Sequence, residues 1–319
     1  MWYHGNRTGN EAIRMDVLQN KIRKMKNPSM VGLDPTPELI PDAILHNGFS
    51  RFGETPDGLA SAYSEFCTGI LEALQETVPA VKLQTACFEA LGAPGVSVLQ
   101  ELSEKAQELG YYVVMDSMRG DAPHIAELYA RTMFGKIRIG EASYSPFFCD
   151  GLTLNGYLGS DAVKPFLPYC KDAGKDLYLL VKTSNRSGRE VQDLISGDRV
   201  VHTAMADLLM RWSDGLIGSC GYSSLGAVMG ATDSRSLAAM RKKYDRIFFL
   251  VAGYGAQGGT AKAVSSAFDA FGHGAVVTAS RSILGAWKKD ETDGSSYTQL
   301  ALEAAVKMKK DIAKYVTVI

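Results

Sequence analysis

Short apolar runs alternate with longer stretches in which apolar residues return every three or four positions, and the alternation continues along nearly the whole chain. The short runs lie at 29–34, 80–84, 111–118, 151–155, 176–184, 225–231, 246–253 and 274–280. Most are rich in Val, Leu and aromatic residues with no clean in-and-out alternation, as expected of parallel strands buried on both faces. Between them Ala62, Phe66, Ile70 and Leu74, then Leu99, Leu102, Ala106 and Leu109, keep a helical period, and Gly110 supplies a stop. Stretches near 124–135, 160–174, 201–214, 235–244, 260–272 and 296–314 have helix-forming composition, and another helix is expected to begin near Met15. Eight strand-then-helix units in 319 residues fit a (β/α)8 TIM barrel, a single domain over 15–319. A doubly wound sheet would usually have fewer strands and a second domain. Residues 1–14 read as a flexible leader. The Gly/Pro/Ser-containing stretches 48–57 and 185–200 are expected to be active-site loops.

Charge narrows the partners. With 34 basic and 35 acidic side chains the formal net charge is -1, so neither a nucleic-acid nor a membrane binder is indicated, though a local basic pocket for a phosphate is compatible. No apolar run approaches the roughly 18 residues of a membrane span. Cys67, Cys87, Cys149, Cys170 and Cys220 are odd in number and never form a C-x-x-C pair, which argues against a disulfide framework or a zinc cluster and fits a reducing cytoplasm. His4, His46, His124, His202 and His273 lack ligand spacing and read as surface or helix-end residues, so no metal is expected.

A barrel gathers its strand ends around one pocket. Those ends are Asp34, then Lys82 and Gln84, then Asp116 through Asp121, Asn155, the run Lys182-Thr183-Ser184-Asn185, Thr232, the loop Gly253-Tyr254-Gly255-Ala256-Gln257-Gly258-Gly259, and Ser280-Arg281. The third is the most pointed: an apolar run that stops in Asp116-Ser117-Met118-Arg119-Gly120-Asp121, two acids five residues apart. In the seventh loop Gly255 and Gly258 would let backbone N–H groups approach an anion, Gln257 and Arg281 could add side-chain donors, and barrels often bind phosphate after their last two strands.

In these residues the chain resembles the orotidine 5'-monophosphate decarboxylase family, in its longer bacterial subgroup. The likeness runs from about Met15 to Lys288. It rests on Val31-Gly32-Leu33-Asp34-Pro35, Val81-Lys82 with Phe88-Glu89, the third-strand acids, Leu154-Asn155-Gly156-Tyr157-Leu158-Gly159, Val181 through Asn185, Gly226-Ala227-Val228 to Ala231-Thr232, the seventh loop and Ser280-Arg281. The resemblance implies a homodimeric barrel that needs no cofactor, binds a pyrimidine nucleoside monophosphate (OMP or UMP) and serves de novo pyrimidine biosynthesis. By it Asp34 and Lys82 would hold the ribose, and Lys82 would join a charge network with Asp116. Asp121 would enter the neighbouring subunit's pocket, Ser184, with Asn185 beside it, would meet the pyrimidine, and Gln257 and Arg281 would clamp the phosphate.

One departure bears on chemistry. The family pattern Asp-x-Lys-x-x-Asp implies a lysine at the position of Met118, there to protonate the ring carbon as carbon dioxide leaves. A thioether has no proton to give and no charge to place between carboxylates. Ile125 likewise stands where the family carries a hydroxyl. Three readings follow: a decarboxylase with impaired or rerouted chemistry, a nucleotide-binding pseudoenzyme or regulatory subunit, and a different reaction on a related phosphorylated substrate.

Overall fold

The computed structural model describes residues 15–289 and 293–319; the leader expected at 1–14 lies outside them. Eight strands form one closed parallel barrel: β1 Ser29–Leu33, β2 Ala80–Gln84, β3 Tyr112–Arg119, β4 Gly151–Leu154, β5 Asp176–Lys182, β6 Leu225–Gly230, β7 Phe249–Ala252 and β8 Ala275–Ala279. Each pairs with its sequence neighbours, and β1 closes on β8 through Ser29 opposite Val277. The barrel expected from the sequence is therefore present, with its strands at the expected places. Only the seventh is notably shorter than its apolar run, because, of Arg246–Phe248, only the carbonyls of Arg246 and Phe248 bond toward β6, accepting from Ser223 N and Ala227 N, before paired strand begins at Phe249.

The strands read as unbroken apolar runs because both faces are covered, by barrel interior on one side and helices on the other. Every residue of β1, β4, β6 and β8 is buried. The helices turn their apolar stripes inward: in Pro56–Leu74, Ala62, Phe66, Ile70 and Leu74 are all buried, and in Ala93–Glu108 so are Leu99, Leu102 and Ala106. At about 25 cal/mol per Å² of apolar surface, a fully buried Leu or Phe contributes roughly 1.5–3 kcal/mol, and this core supplies dozens. The first helix, Asp16–Met25, closes the amino-terminal mouth of the barrel with Met15, Leu18 and Ile22, all fully buried. Its Asp16 carboxylate accepts from the backbone N–H groups of Ser219 and Cys220, which pins the plug in place.

Two expectations need correction. Residues 48–57 are not an active-site loop: they are the end of helix Asp42–Phe52 and the start of Pro56–Leu74, where Thr55 caps the second helix by accepting from Gly58 N at 3.2 Å. Gly53 ends the first helix and Thr55-Pro56 starts the second, so the Gly and Thr-Pro signals there mark a helix-to-helix turn. Residues 185–200 do lie between β5 and the next helix, Val201–Trp212, and within that loop form two short helical turns and a hairpin of Ile195–Ser196 with Arg199–Val200. His273 is buried rather than superficial, with Nε2 2.9 Å from the carbonyl oxygen of Ile319. All five cysteines are free, and among the described residues no helix is long and apolar enough to cross a membrane.

Candidate active site

The carboxyl ends of the strands enclose a cleft of about 210 Å³ lined by Asp34, Lys82, Gln84, Asp116, Met118 and Ser184 on one side and by 252–254, 256 and 257 with 278–281 on the other. Side chains two apart on a strand share a face, so Lys82 and Gln84 of β2 point the same way, and the register sets Gln84 beside Asp116 of β3. Lys82 Nζ lies 2.7 Å from Asp116 Oδ2 and 3.1 Å from Asp34 Oδ1. Gln84 Nε2 donates to Asp116 Oδ2 at 3.1 Å, and Thr153 Oγ1 of β4 donates to Asp116 Oδ1 at 2.8 Å. Both carboxylate oxygens of this buried acid are thus satisfied. Burial opposes the charge on Lys82, but Asp116 and Asp34 more than offset it, and the ammonium pKa stands above its ordinary value. Lys82 is a fixed cation here, held too tightly to be a ready proton donor. Cys87 sits close enough to feel this array, yet burial pushes its thiol up to about 11, so it is no thiolate nucleophile.

Met118 occupies an unusual backbone position. The β3–β4 register shifts between Met115 and Arg119, and within that irregularity Met118 has φ 45°, in the left-handed region that side-chain-bearing residues seldom adopt. Its N–H donates to Thr153 Oγ1 at 3.0 Å, the same hydroxyl that holds Asp116. The side chain is 47% exposed and faces the cleft. Such strain is kept where surrounding structure over-determines it, commonly at functional sites.

On the opposite wall, Gln257 and Arg281 line the cleft as expected, and Arg281 carries no ion pair among the described residues. Two buried hydroxyls, Thr278 Oγ1 and Ser280 Oγ, have no hydrogen-bond partner among the described residues. A ligand oxygen would satisfy them and neutralise Arg281. Gly253, at φ 94°, lets the chain pass close to Ser184: a Cβ there would lie 2.9 Å from Ser184 Cβ and 3.1 Å from Gln257 Oε1. Glycine at 253 is what brings those two side chains into one cleft.

Other expected residues lie elsewhere. The N–H groups of Gly255 and Gly258 are spent within their own loop, on the carbonyls of Gly259 (2.9 Å) and Gly255 (2.8 Å). Those two glycines shape the loop, and its cleft-facing members are Gly253, Tyr254, Ala256 and Gln257. Asn185 accepts from Thr183 Oγ1 at 2.6 Å and lines an adjoining cleft instead. Asp121 lies outside its own chain's cleft, accepting from Ala122 N at 2.7 Å. Ile125 faces a side groove with Thr85, Glu89 and Leu128. Thr153 and Thr278 escaped the sequence reading, although each is a lone hydroxyl in an otherwise apolar strand, a signal that a polar atom is wanted in that barrel layer.

Fold and cleft together define a single-domain (β/α)8 barrel with a charged pocket at the carboxyl ends of its strands, where barrel enzymes do their chemistry. The chain belongs to the orotidine 5'-phosphate decarboxylase / HUMPS family, whose profile matches residues 30–293. It is 36% identical over 299 residues to an orotidine 5'-phosphate decarboxylase of Rhodopirellula baltica, covering 92% of this chain and 97% of that one. A Clostridium kluyveri protein of the same name is 34% identical over 301 residues, covering 94% and 97%. Among solved structures, the Leishmania donovani OMP decarboxylase superposes with a TM-score of 0.68 at 27% identity, covering 93% of this chain and 98% of that one. These relatives are carboxy-lyases, and the chain is a member of their class.

Proposed function

We propose that this protein binds a pyrimidine nucleoside monophosphate, OMP or UMP, in a cleft completed by a second identical chain, and that Met118 impairs or reroutes its decarboxylation of OMP. The observation that carries the reading is the Asp34–Lys82–Asp116 array across one cleft from the uncommitted guanidinium of Arg281. Arg281 with Gln257 takes the phosphate, Thr278 and Ser280 supply hydroxyls, and Ser184 meets the base. Loss of carbon dioxide leaves an electron pair on ring carbon, and a proton must reach it. Met118 has none, and Lys82 is committed to two carboxylates. Asp121, half-buried on the connection after β3 and outside its own cleft, reaches a second copy and serves there as the remaining acid. We place the protein in the cytoplasm, with its five free thiols.

Lysine has the unbranched stem of methionine, so Met118→Lys should fit without overpacking and set an ammonium beside Asp116. Turnover of OMP should rise by about 10²-fold or more, the usual scale of a positioned general acid. Adding Ile125→Thr makes the stronger version, because it restores the hydroxyl implied by the family pattern, and a small displacement of the substrate alone can cost about 10²-fold. Tight UMP binding with no gain in turnover by the double variant would replace the decarboxylase with a nucleotide-binding pseudoenzyme. Sedimentation as a monomer at micromolar concentration would remove Asp121 from the site.

A further inference from the structure

Ser184 also borders a second cleft, of about 280 Å³, lined among others by Lys182, Arg186, Arg189, Gln192 and Asp233. Ser184 is the wall the two share. The segment that carries both arginines is tied to the barrel at its far end. Asp193 pairs with the buried ammonium of Lys182 at the end of β5. Gln192 Oε1 accepts from Thr183 N at 2.9 Å while its Nε2 donates to Thr183 Oγ1 at 2.8 Å. Gly188 allows this closeness, since a Cβ there would lie 2.8 Å from Thr183 Oγ1 and 3.0 Å from Gln192 Oε1. The arginines are therefore presented by an anchored loop beside Ser184.

The charges in and around this cleft are Lys182, Arg186 and Arg189 against Asp193 and Asp233. Asp193 is taken by Lys182, with His202 Nδ1 at 3.4 Å. Asp233 is the cap of helix Ser234–Lys243, accepting from Ser236 N at 3.1 Å and Ser236 Oγ at 2.8 Å. Among the described residues neither Arg186 nor Arg189 has an ion pair, so the cleft keeps a positive surplus. The acid end of the nucleotide cleft is the reverse: Asp34 and Asp116 share one lysine, and Met118 adds no charge.

Resting on the nucleotide reading above, we propose that the second cleft is an anion subsite, and that it takes an acidic substituent on the edge of the base remote from the ribose. A ligand with its phosphate at Arg281 and its base at Ser184 sets that edge against the wall shared with the cleft that Arg186 and Arg189 line. Charge-assisted guanidinium bonds to a carboxylate are among the stronger polar contacts, and two unpaired donors stand ready. The substrate class is a pyrimidine nucleoside monophosphate acidic at ring position 5, in place of or besides one acidic at position 6.

Calorimetric titration of the full chain with UMP and with 5-carboxyuridine 5'-monophosphate tests this. The carboxylated ligand should bind about tenfold or more tighter than UMP. Arg186→Gln with Arg189→Gln, both exposed and safe for the fold, should erase that gain while leaving UMP affinity within about twofold. Equal affinity for the two ligands, or a gain that survives the double substitution, overturns the subsite. Failure of UMP itself to bind overturns the nucleotide reading on which it rests.

Discussion

The barrel buries an aspartate at each end, and the two are handled in opposite ways. At the carboxyl end Asp116 is 6% exposed, paired with Lys82 and bonded by Gln84 and Thr153. At the amino end Asp176, fully buried at the start of β5, has no ion pair among the described residues; Tyr112 OH donates to its Oδ2 at 2.7 Å, and Oδ1 has no partner. Burial raises the pKa of Asp176 from 3.8 to about 8, only partly opposed by the Tyr112 bond and the nearby Ser224 hydroxyl. Removing a carboxylate from water costs several kcal/mol, which a cation and two donors offset at one end and a retained proton avoids at the other. A buried acid is a charged site only where its neighbours make it one. The top of this barrel is electrostatically organised for a ligand, whereas the bottom is sealed.

Three substitutions test that contrast, ranked by their effect on stability. The largest is Lys82→Met, which leaves Asp34 and Asp116 facing each other without a cation; unfolding free energy should fall by about 3–5 kcal/mol, and by less at acid pH where a carboxylate can take up a proton. Urea melts at pH 5 and 7.5 measure this, and a loss below 1 kcal/mol would mean the array is solvated rather than buried.

Asp176→Asn comes next and acts with the opposite sign. The folded-state pKa is raised, so between about 4 and about 8 the unfolded chain has given up a proton that the folded chain keeps. The protonated acid's contribution is full below about 4 and is lost as pH rises toward 8, with a slope of at most about 1.4 kcal/mol per pH unit. The amide cannot ionise, so the variant should lose less stability than the parent between pH 5 and 7.5. Parallel profiles would show that Asp176 is ionised in the fold.

Smallest is Arg281→Ala. Its side chain is exposed and unpaired among the described residues, so stability should move by under about 0.5 kcal/mol. UMP binding should nonetheless weaken by about 2–4 kcal/mol, with little change for uridine, because only the phosphate loses a charged partner. Equal losses for nucleotide and nucleoside would remove Arg281 from the phosphate site.

The eight strands, their order and the carboxyl-end placement of Asp34, Lys82, Asp116, Ser184, Gln257 and Arg281 were legible in the sequence, because parallel barrel strands are locally marked by apolar runs and connected in chain order. Tertiary structure alone decided what required distance and register. The backbone at Met118 turns left-handed because β3 and β4 slip past each other, and nothing local to Asp116-Ser117-Met118 announces that slip. Thr153 became the link between Met118 and Asp116 only through that pairing. The loop N–H groups of Gly255 and Gly258 turned inward because a loop satisfies its own carbonyls when it can, a choice that composition leaves open. Lys82 and Lys182 stand alike in sequence, each a lysine near the end of an apolar strand. One is gripped by two acids inside the cleft and the other by Asp193 from a loop, and the difference rests on partners 48 and 34 residues away for Lys82 and 11 for Lys182. Charge identity is written in the chain, but the field each charge feels depends on which distant groups the fold sets within about 4 Å.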